Sequence, residues 1–377
     1  MTKRGAHEGS IYQRQDGRWA ASVHLGYIDG KRQRKTFYGK TRRAVQERMT
    51  KALGEVQAGL PVQSDDRETV AAYLSRWLDA SAAQRVRPRT LAGYRLIVEK
   101  HLIPAIGRVS LTKLTPAQVQ AMLNARAAAG ARPQTVRNVH AVLRRALTQA
   151  LRWGAVSRNV AILVDLPRVD RQEVAGLSPT AAKAVMAAVA GHRIGPLVIL
   201  TLSTGLRQGE ALGLRWQDVD LEAGTLRVRY SLQRMPGRGV ELVEPKTTRS
   251  RRMLALPTST VAALREQRKR QLAERLWAGS RWQESGYVYT TSIGTPMIGS
   301  DVTRHFQALL RTAGLQAMRF HDLRHGAASL LLAQGVHPRV VMEMLGHSTI
   351  TLTMNVYSHV IPDLQREAAT KMEAVLG

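Results

Sequence analysis

The chain has 377 residues, enough for two or three domains that each bury a core, and its 56 Lys and Arg against 28 Asp and Glu give a formal net charge of +28. It contains no cysteine, which excludes disulfides, thiolate metal sites and cysteine nucleophiles. Neither a membrane-spanning apolar run nor a signal peptide is recognisable, so we expect a cytoplasmic protein without a membrane partner.

The excess of cations indicates that the partner is a polyanion. Phosphates would neutralise the repulsion between the cations and release condensed counterions, which favours nucleic-acid binding. A genome that favours Arg over Lys is an alternative source of the arginines, and a ribosome-associated protein is another basic class. Codon bias explains which cation is used but not the shortage of acidic residues, so nucleic-acid binding is the preferred interpretation.

The first segment, residues 1–62, is predicted to form three strands and a helix. The predicted strands are Ser10–Gln13, then Trp19–Tyr27, in which alternate residues fall on one face, and Lys31–Tyr38, which follows the hairpin turn signal Asp29-Gly30. Thr41 caps the helix that follows. Because a small basic sheet can enter the major groove, we predict an accessory DNA-binding module. The alternative is a solvated sheet that adds only nonspecific affinity. The candidate contacts are Lys31, Arg32, Arg34 and Lys35.

The second segment, residues 67–166, is predicted to be a bundle of helices. Helices are expected to open at Thr69, Thr90 and Thr115, and the longest should run from Pro133 to Trp153. Each arginine taken singly fits a solvated helix face, but together with the net charge they suggest a clamp over a DNA duplex. The candidate contacts are Arg87, Arg89, Arg137 and Arg144.

The third segment, residues 176–377, is predicted to be mainly helical with a small antiparallel sheet. Strand patterns occur at Thr225–Leu232, Val240–Val243 and Arg251–Leu256, with a further one at Tyr287–Thr290. The chain has no phosphate-binding loop of the Walker type and no carboxylate cluster, so ATP hydrolysis and two-metal nuclease chemistry lose support. We therefore predict neither a cofactor nor a metal site.

Four short motifs in the third segment carry side chains suited to phosphate chemistry. Arg207 follows a glycine bend, and Glu210, three residues later, is expected to orient it or to cap its helix. His321 and Arg324 are three apart and so share a helix face. The remaining candidates are Lys246 in a predicted turn, His347 after Gly346, and Tyr357 near the C-terminus.

In this order, the motifs resemble the tyrosine recombinase family, also called the phage integrase family. The resemblance covers nearly the whole chain. It implies an arm-type DNA-binding domain at residues 1–62, a core-binding helical domain at 67–166 and a catalytic domain with a C-terminal tail helix at 176–377. The implied fold is a small three-stranded sheet plus helix, an all-α domain, and a mainly α catalytic domain with a small antiparallel sheet.

The resemblance also assigns a role to each candidate. Tyr357 becomes the nucleophile that forms a 3′-phosphotyrosyl intermediate, and Arg207 with Arg324 clamps the phosphate by paired hydrogen bonds. Lys246 becomes the general acid for the leaving 5′-oxygen. His321 and His347 are the supporting imidazoles. Because tyrosine has an unperturbed pKa of ~10, Tyr357 needs nearby cations or a base such as His321 to give up its proton.

The implied function is site-specific integration and excision of a mobile element without ATP. The implied partners are core-type and arm-type DNA sites, a homotetramer assembled on DNA, and accessory DNA-bending and directionality proteins at the nucleoid of a bacterial host. An apolar stripe in the tail fits docking on a neighbouring protomer or on its own domain equally well. The stripe consists of Leu364, Ala368, Met372 and Leu376.

Two other classes use a related fold or chemistry. A DNA-binding regulator that kept the fold without chemistry would lack one or more catalytic positions, and none is missing here. A type IB topoisomerase relaxes DNA alone and has no need of the N-terminal basic sheet. The same sheet favours an integrase over a chromosome-dimer resolvase within the family.

Overall fold

The computed structural model describes residues 9–28, 31–57, 68–169, 177–235, 237, 239–244, 251–346, 369–370, 372–374 and 376. For residues 25–28, 31–33, 51 and 55–57 it describes the backbone only. The chain divides into two compact units, Met1–Asp170 and Arg171–Gly377. The first unit contains both predicted N-terminal domains, so the boundary between those two domains stays a prediction.

The N-terminal part of the first unit is a three-stranded antiparallel sheet. Its strands are β1 (Ser10–Gln13), β2 (Trp19–Ile28) and β3 (Lys31–Gly39), in the order β1-β2-β3. Helix α1 (Arg42–Gln57) packs against β2, and Val23 and Val45 are fully buried between them. The predicted strands and helix are therefore confirmed.

The rest of the first unit is a helical bundle. Its helices are α2 (Val70–Trp77), α3 (Ala83–Arg85), α4 (Pro88–Ile97), α5 (Ile103–Ile106), α6 (Pro116–Ala128) and α7 (Pro133–Arg152). The core includes fully buried Leu102 and Leu143. Thr69 and Thr115 cap α2 and α6 as predicted. The predicted start at Thr90 is wrong, because α4 begins at Pro88, whose fixed φ suits the first helical position.

The second unit surrounds a separate apolar core with helices and two small sheets. Its helices are α8 (Pro179–Ala188), α9 (Gly195–Thr204), α10 (Gln208–Leu212), α11 (Thr258–Ala278), α12 (Gly299–Thr312), α13 (Asp322–Ala333) and α14 (Pro338–Leu345). Its strands are β4 (Val219–Asp220), β5 (Thr225–Val228), β6 (Ser231–Met235), β7 (Gly239–Val243) and β8 (Arg252–Ala255). The order is β4-β5-β8 in one sheet and β6-β7 in the other.

Two strand predictions in this unit need correction. The predicted strand Thr225–Leu232 is two strands, because β5 pairs with β8 whereas β6 turns away to pair with β7 and to pack on α10. The predicted strand Tyr287–Thr290 forms only isolated bridges at its two ends, and its apolar pattern reflects complete burial of Val288 and Tyr289.

None of the helices in the described part of the chain combines the length and the apolar character that a bilayer span requires.

Candidate active site

Arg207 lies at a sharp bend between two helices of the second unit. Helix α9 ends at Thr204, Gly205 adopts a left-handed conformation with φ of 66°, and Arg207 is the residue before α10. A Cβ atom on Gly205 would overlap the side chain of Leu345. Glycine is therefore required here both for the backbone conformation and for close packing against the end of α14.

Arg324 lies in the first turn of α13 and is only 3% exposed. Its Nη1 donates to the carbonyl of Gly205 at 2.7 Å and its Nη2 to the carbonyl of Leu345 at 2.8 Å. Arg207 donates from Nη2 to the next carbonyl, that of Gly346, at 3.3 Å, across 139 residues of sequence. Both predicted clamp arginines therefore meet at the turn that ends α14.

Glu210 supports Arg207 from the first turn of α10. Its carboxylate accepts from the Arg207 backbone nitrogen at 3.1 Å and from Arg207 Nη1 at 2.7 Å. Burial raises the pKa of Glu210, but the guanidiniums of Arg252 and Arg207 outweigh it and hold the pKa below its usual range. Glu210 is thus ionised and orients Arg207, as the sequence indicated.

Arg252 is a member of this site that sequence reasoning missed. Its side chain is 7% exposed and donates from Nη2 to Glu210 at 3.1 Å. A signal was present, because Arg252 and the buried Leu254 are two apart on β8 and so share a face, whereas Met253 is exposed. The surrounding run of arginines concealed that alternation.

His321 directly precedes α13, beside Arg324. Its ring meets the ring of His325 edge to face, with centroids 5.0 Å apart. Loss of solvent around the ring, and then the charges of His325, Arg324 and Arg207, lower the pKa of His321 to about 4, against the weaker opposing effect of Asp322. His321 is consequently neutral at pH 7.

Three predicted catalytic residues, Lys246, His347 and Tyr357, lie outside the described residues, as does the predicted helix 349–355. Lys246 belongs to the connection between β7 and β8, and His347 directly follows Gly346. Their roles stay predictions.

The predicted DNA contacts of the first unit are distributed over several elements. Arg34 and Lys35 lie on β3, where Arg34 is exposed and its Nε donates to Ser22 Oγ; for Lys31 and Arg32 only the strand backbone is described. Arg87 directly precedes α4 and Arg89 lies in its first turn. Arg137 and Arg144 are exposed on α7. Arg144 lines a cavity of about 410 Å³ with Arg85, Arg145 and Arg152.

Solved structures of DNA-bound integrases share this fold. The Tn1549 transposon integrase in complex with a circular intermediate DNA superimposes with a TM-score of 0.68 at 20% identity, covering 79% of this chain and 99% of that one. The lambda integrase tetramer bound to a Holliday junction gives a TM-score of 0.60 at 18% identity, covering 94% of this chain and 96% of that one. The predicted fold class is therefore confirmed, and the fold is that of the lambda-type integrases.

Sequence comparison identifies the family. The phage integrase family pattern matches residues 172–363, and the phage integrase N-terminal SAM-like domain matches residues 69–125. A tyrosine recombinase XerC-like protein from Caldanaerobacter subterraneus subsp. tengcongensis is 30% identical over 358 residues, which cover 90% of this chain and 91% of the relative. The chain belongs to the phage integrase family, as the motif order predicted, and is a site-specific tyrosine recombinase.

Proposed function

We propose that this recombinase is the integrase of a mobile element and that it cuts and rejoins DNA through a covalent 3′-phosphotyrosyl link to Tyr357. The observation that carries the proposal is the convergence of Arg207 and Arg324 on the turn that ends α14. His347 is the next residue after that turn, and Tyr357 follows ten residues later. A nucleophile delivered from this segment would therefore start close to both guanidiniums.

In the proposed reaction, the Tyr357 oxygen attacks the scissile phosphorus and the 5′-oxygen of the next nucleotide leaves. Arg207 and Arg324 stabilise the extra negative charge on the non-bridging oxygens, which is where fixed donors reduce the barrier most. Nearby cations or a base such as His321 allow the tyrosine to lose its proton as it attacks, and Lys246 returns a proton to the leaving 5′-oxygen. Because the phosphotyrosyl ester keeps the energy of the broken linkage, a 5′-hydroxyl of another duplex can reverse the step without ATP.

We further propose that the two parts of the first unit have separate tasks on DNA. The arginines of the helical bundle hold the core site, and the basic N-terminal sheet holds an arm-type site. Strand exchange between two duplexes takes four active sites, so a homotetramer on DNA is the proposed assembly. The lambda integrase, which shares the fold along 94% of this chain, is a tetramer on a Holliday junction in its solved structure.

The core-site sequence is first identified by sequencing junctions formed in cells. The chemistry is then tested with the variant Tyr357→Phe on a nicked suicide substrate that carries this core site. The variant is expected to bind the site with unchanged affinity and to form no covalent adduct, because the phenyl ring has no nucleophilic oxygen. Tyr287→Phe is the matched control, since Tyr287 packs under Arg215 in the second unit, and it should form adduct at the wild-type rate. An adduct formed by the Tyr357 variant contradicts the assignment.

The arm-site proposal is tested by removing residues 1–60. The shortened chain is expected to cleave core-site substrates as the full chain does, but to lose most of its integration between full-length attachment sites. Cleavage in vitro and integration frequency in cells are the two measurements. Unchanged integration would leave the N-terminal sheet without the proposed role.

A further inference from the structure

Arg251, the residue before β8, and Arg252, the first residue of β8, have opposite surroundings. Arg251 has a side chain that is 55% exposed and pairs at 2.7 Å with Glu244, itself 65% exposed. Arg252 has a side chain that is 7% exposed and pairs at 3.1 Å with Glu210, which is 4% exposed. A buried guanidinium loses its hydration, and only close partners of suitable geometry offset that cost. The position of Arg252 therefore requires a reason beyond solubility or general attraction to DNA.

The partners of Arg252 belong to the proposed active site. Its Nη2 donates to Oε2 of Glu210, and Oε1 of the same carboxylate accepts from Arg207 Nη1. Its Nε donates to the carbonyl of Met344 at 2.5 Å. Met344 lies two residues before Gly346, whose carbonyl accepts from Arg207. One guanidinium thus joins strand β8, the start of α10 and the end of α14.

The charge balance of this group matters for phosphate binding. Glu210 and Arg207 alone would form a neutral pair, and a neutral pair attracts a phosphate weakly. With Arg252 added, two guanidiniums face one carboxylate, and a net positive charge remains. Arg207 is the partner that can present this charge, because its side chain is 40% exposed whereas those of Arg252 and Glu210 are buried.

We infer that Arg252 is a positioning residue for the recombination reaction: it shares the Glu210 carboxylate with Arg207, so that Arg207 keeps its charge for the scissile phosphate, and it fixes the end of α14. Arg252 touches no reacting atom in this arrangement. It acts through Arg207 and through the turn that carries Gly346.

This inference rests on the proposed function and is tested by single-turnover formation of the covalent adduct. Arg252→Met is expected to slow adduct formation on ordinary DNA on the order of 10²-fold, the loss typical for removing one electrostatic stabiliser. Arg251→Met is the matched control on the neighbouring position and should react at the wild-type rate. Melting temperature and affinity for the core site are measured for each variant, so that misfolding is recognised.

The contribution of charge is measured separately, as the rate of adduct formation on a substrate whose scissile phosphate is replaced by a neutral methylphosphonate. Because this substrate lacks one anionic oxygen, the positive charge of Arg207 contributes less to stabilising the transition state. The difference in rate between wild type and Arg252→Met should therefore shrink at least tenfold. A purely structural role for Arg252 would slow the reaction by the same factor on both substrates, and that result overturns the inference.

A second variant keeps the test independent of the stability of Arg252→Met. In the double variant Glu210→Gln with Arg252→Met, no unpaired charge is left buried, and the glutamine amide oxygen can still accept from Arg207. Because Arg207 again carries an uncompensated charge, the double variant should form adduct at least tenfold faster than Arg252→Met on ordinary DNA. An equal or slower rate overturns the inference alone. Absence of adduct from the wild-type chain overturns the proposed function and this inference together.

Discussion

A predicted catalytic arginine of the second unit and a predicted DNA-contacting arginine of the first unit differ in how the fold holds them. In the second unit, Arg324 is 3% exposed and its guanidinium is bonded to two backbone carbonyls from distant parts of the chain. In the first unit, Arg144 stands exposed on α7. A buried, bonded guanidinium is fixed in direction and is expected to act by geometry. An exposed one adds affinity that salt screens, and its neighbours can replace it in part.

The largest effect is expected at the fixed guanidinium of Arg324. Arg324→Lys keeps the charge, but a lysine ammonium cannot reproduce the planar fork that bonds both Gly205 and Leu345. Adduct formation should fall on the order of 10²- to 10³-fold in a single-turnover assay, while DNA affinity changes little. The control is Arg304→Lys on α12, because that side chain is 72% exposed. If both lysine variants react at the wild-type rate, a positive charge at position 324 is sufficient for the reaction. The fixed direction of the guanidinium would then be unimportant, which contradicts the contrast drawn between the two units.

The next effect concerns the bend that places Arg207. Gly205 and Gly191 both have positive φ, 66° and 70°, but only at Gly205 does a Cβ atom meet other atoms, those of Leu345 and Ala327. Each alanine variant should lose about 1–2 kcal/mol of unfolding free energy from the backbone conformation. Gly205→Ala should lose about 1–3 kcal/mol more from overpacking and should also slow adduct formation. Denaturant unfolding of the two variants measures the difference.

Equal losses of stability at Gly205 and Gly191, with full activity in both variants, would show that the contact between the bend and α14 is unimportant for Arg207. That outcome would contradict the conclusion that packing of Gly205 against the end of α14 fixes the position of Arg207.

The smallest effect is expected at an exposed arginine of the helical bundle. Arg144→Ala should lower the affinity for the core site less than tenfold and reduce the slope of log affinity against log salt by about 0.9, as for the loss of one phosphate contact. Adduct formation at saturating DNA should be unchanged. Titrations between low and moderate salt measure the slope.

The matched control for this prediction is Arg144→Lys, which keeps the charge and should keep the slope. A slope that is the same in the wild type and in both Arg144 variants would remove Arg144 from the predicted DNA contacts.

Local sequence patterns were sufficient to predict most of the helices and strands. Thr69 and Thr115 indicate helix starts, because the hydroxyl of a capping residue accepts a hydrogen bond from a backbone nitrogen three residues later. Strand β2 follows in the same way from the period-two alternation of its residues. The split of Thr225–Leu232 into β5 and β6 escaped prediction, because the choice of partner strand depends on segments far away in sequence. For Val288 and Tyr289, an apolar run fits a buried loop as well as a strand.

The sequence by itself determined the class of protein, because charge excess and the order of the motifs are properties of the chain. It also predicted that Arg207 and Arg324 would act together. Only the tertiary structure decided how they are held, by carbonyls of the α14 turn, and that Arg252 shares Glu210 with Arg207. The reason is physical, since desolvation and hydrogen-bond partners depend on which distant segments meet, and an arginine looks the same in sequence whether it is buried or exposed.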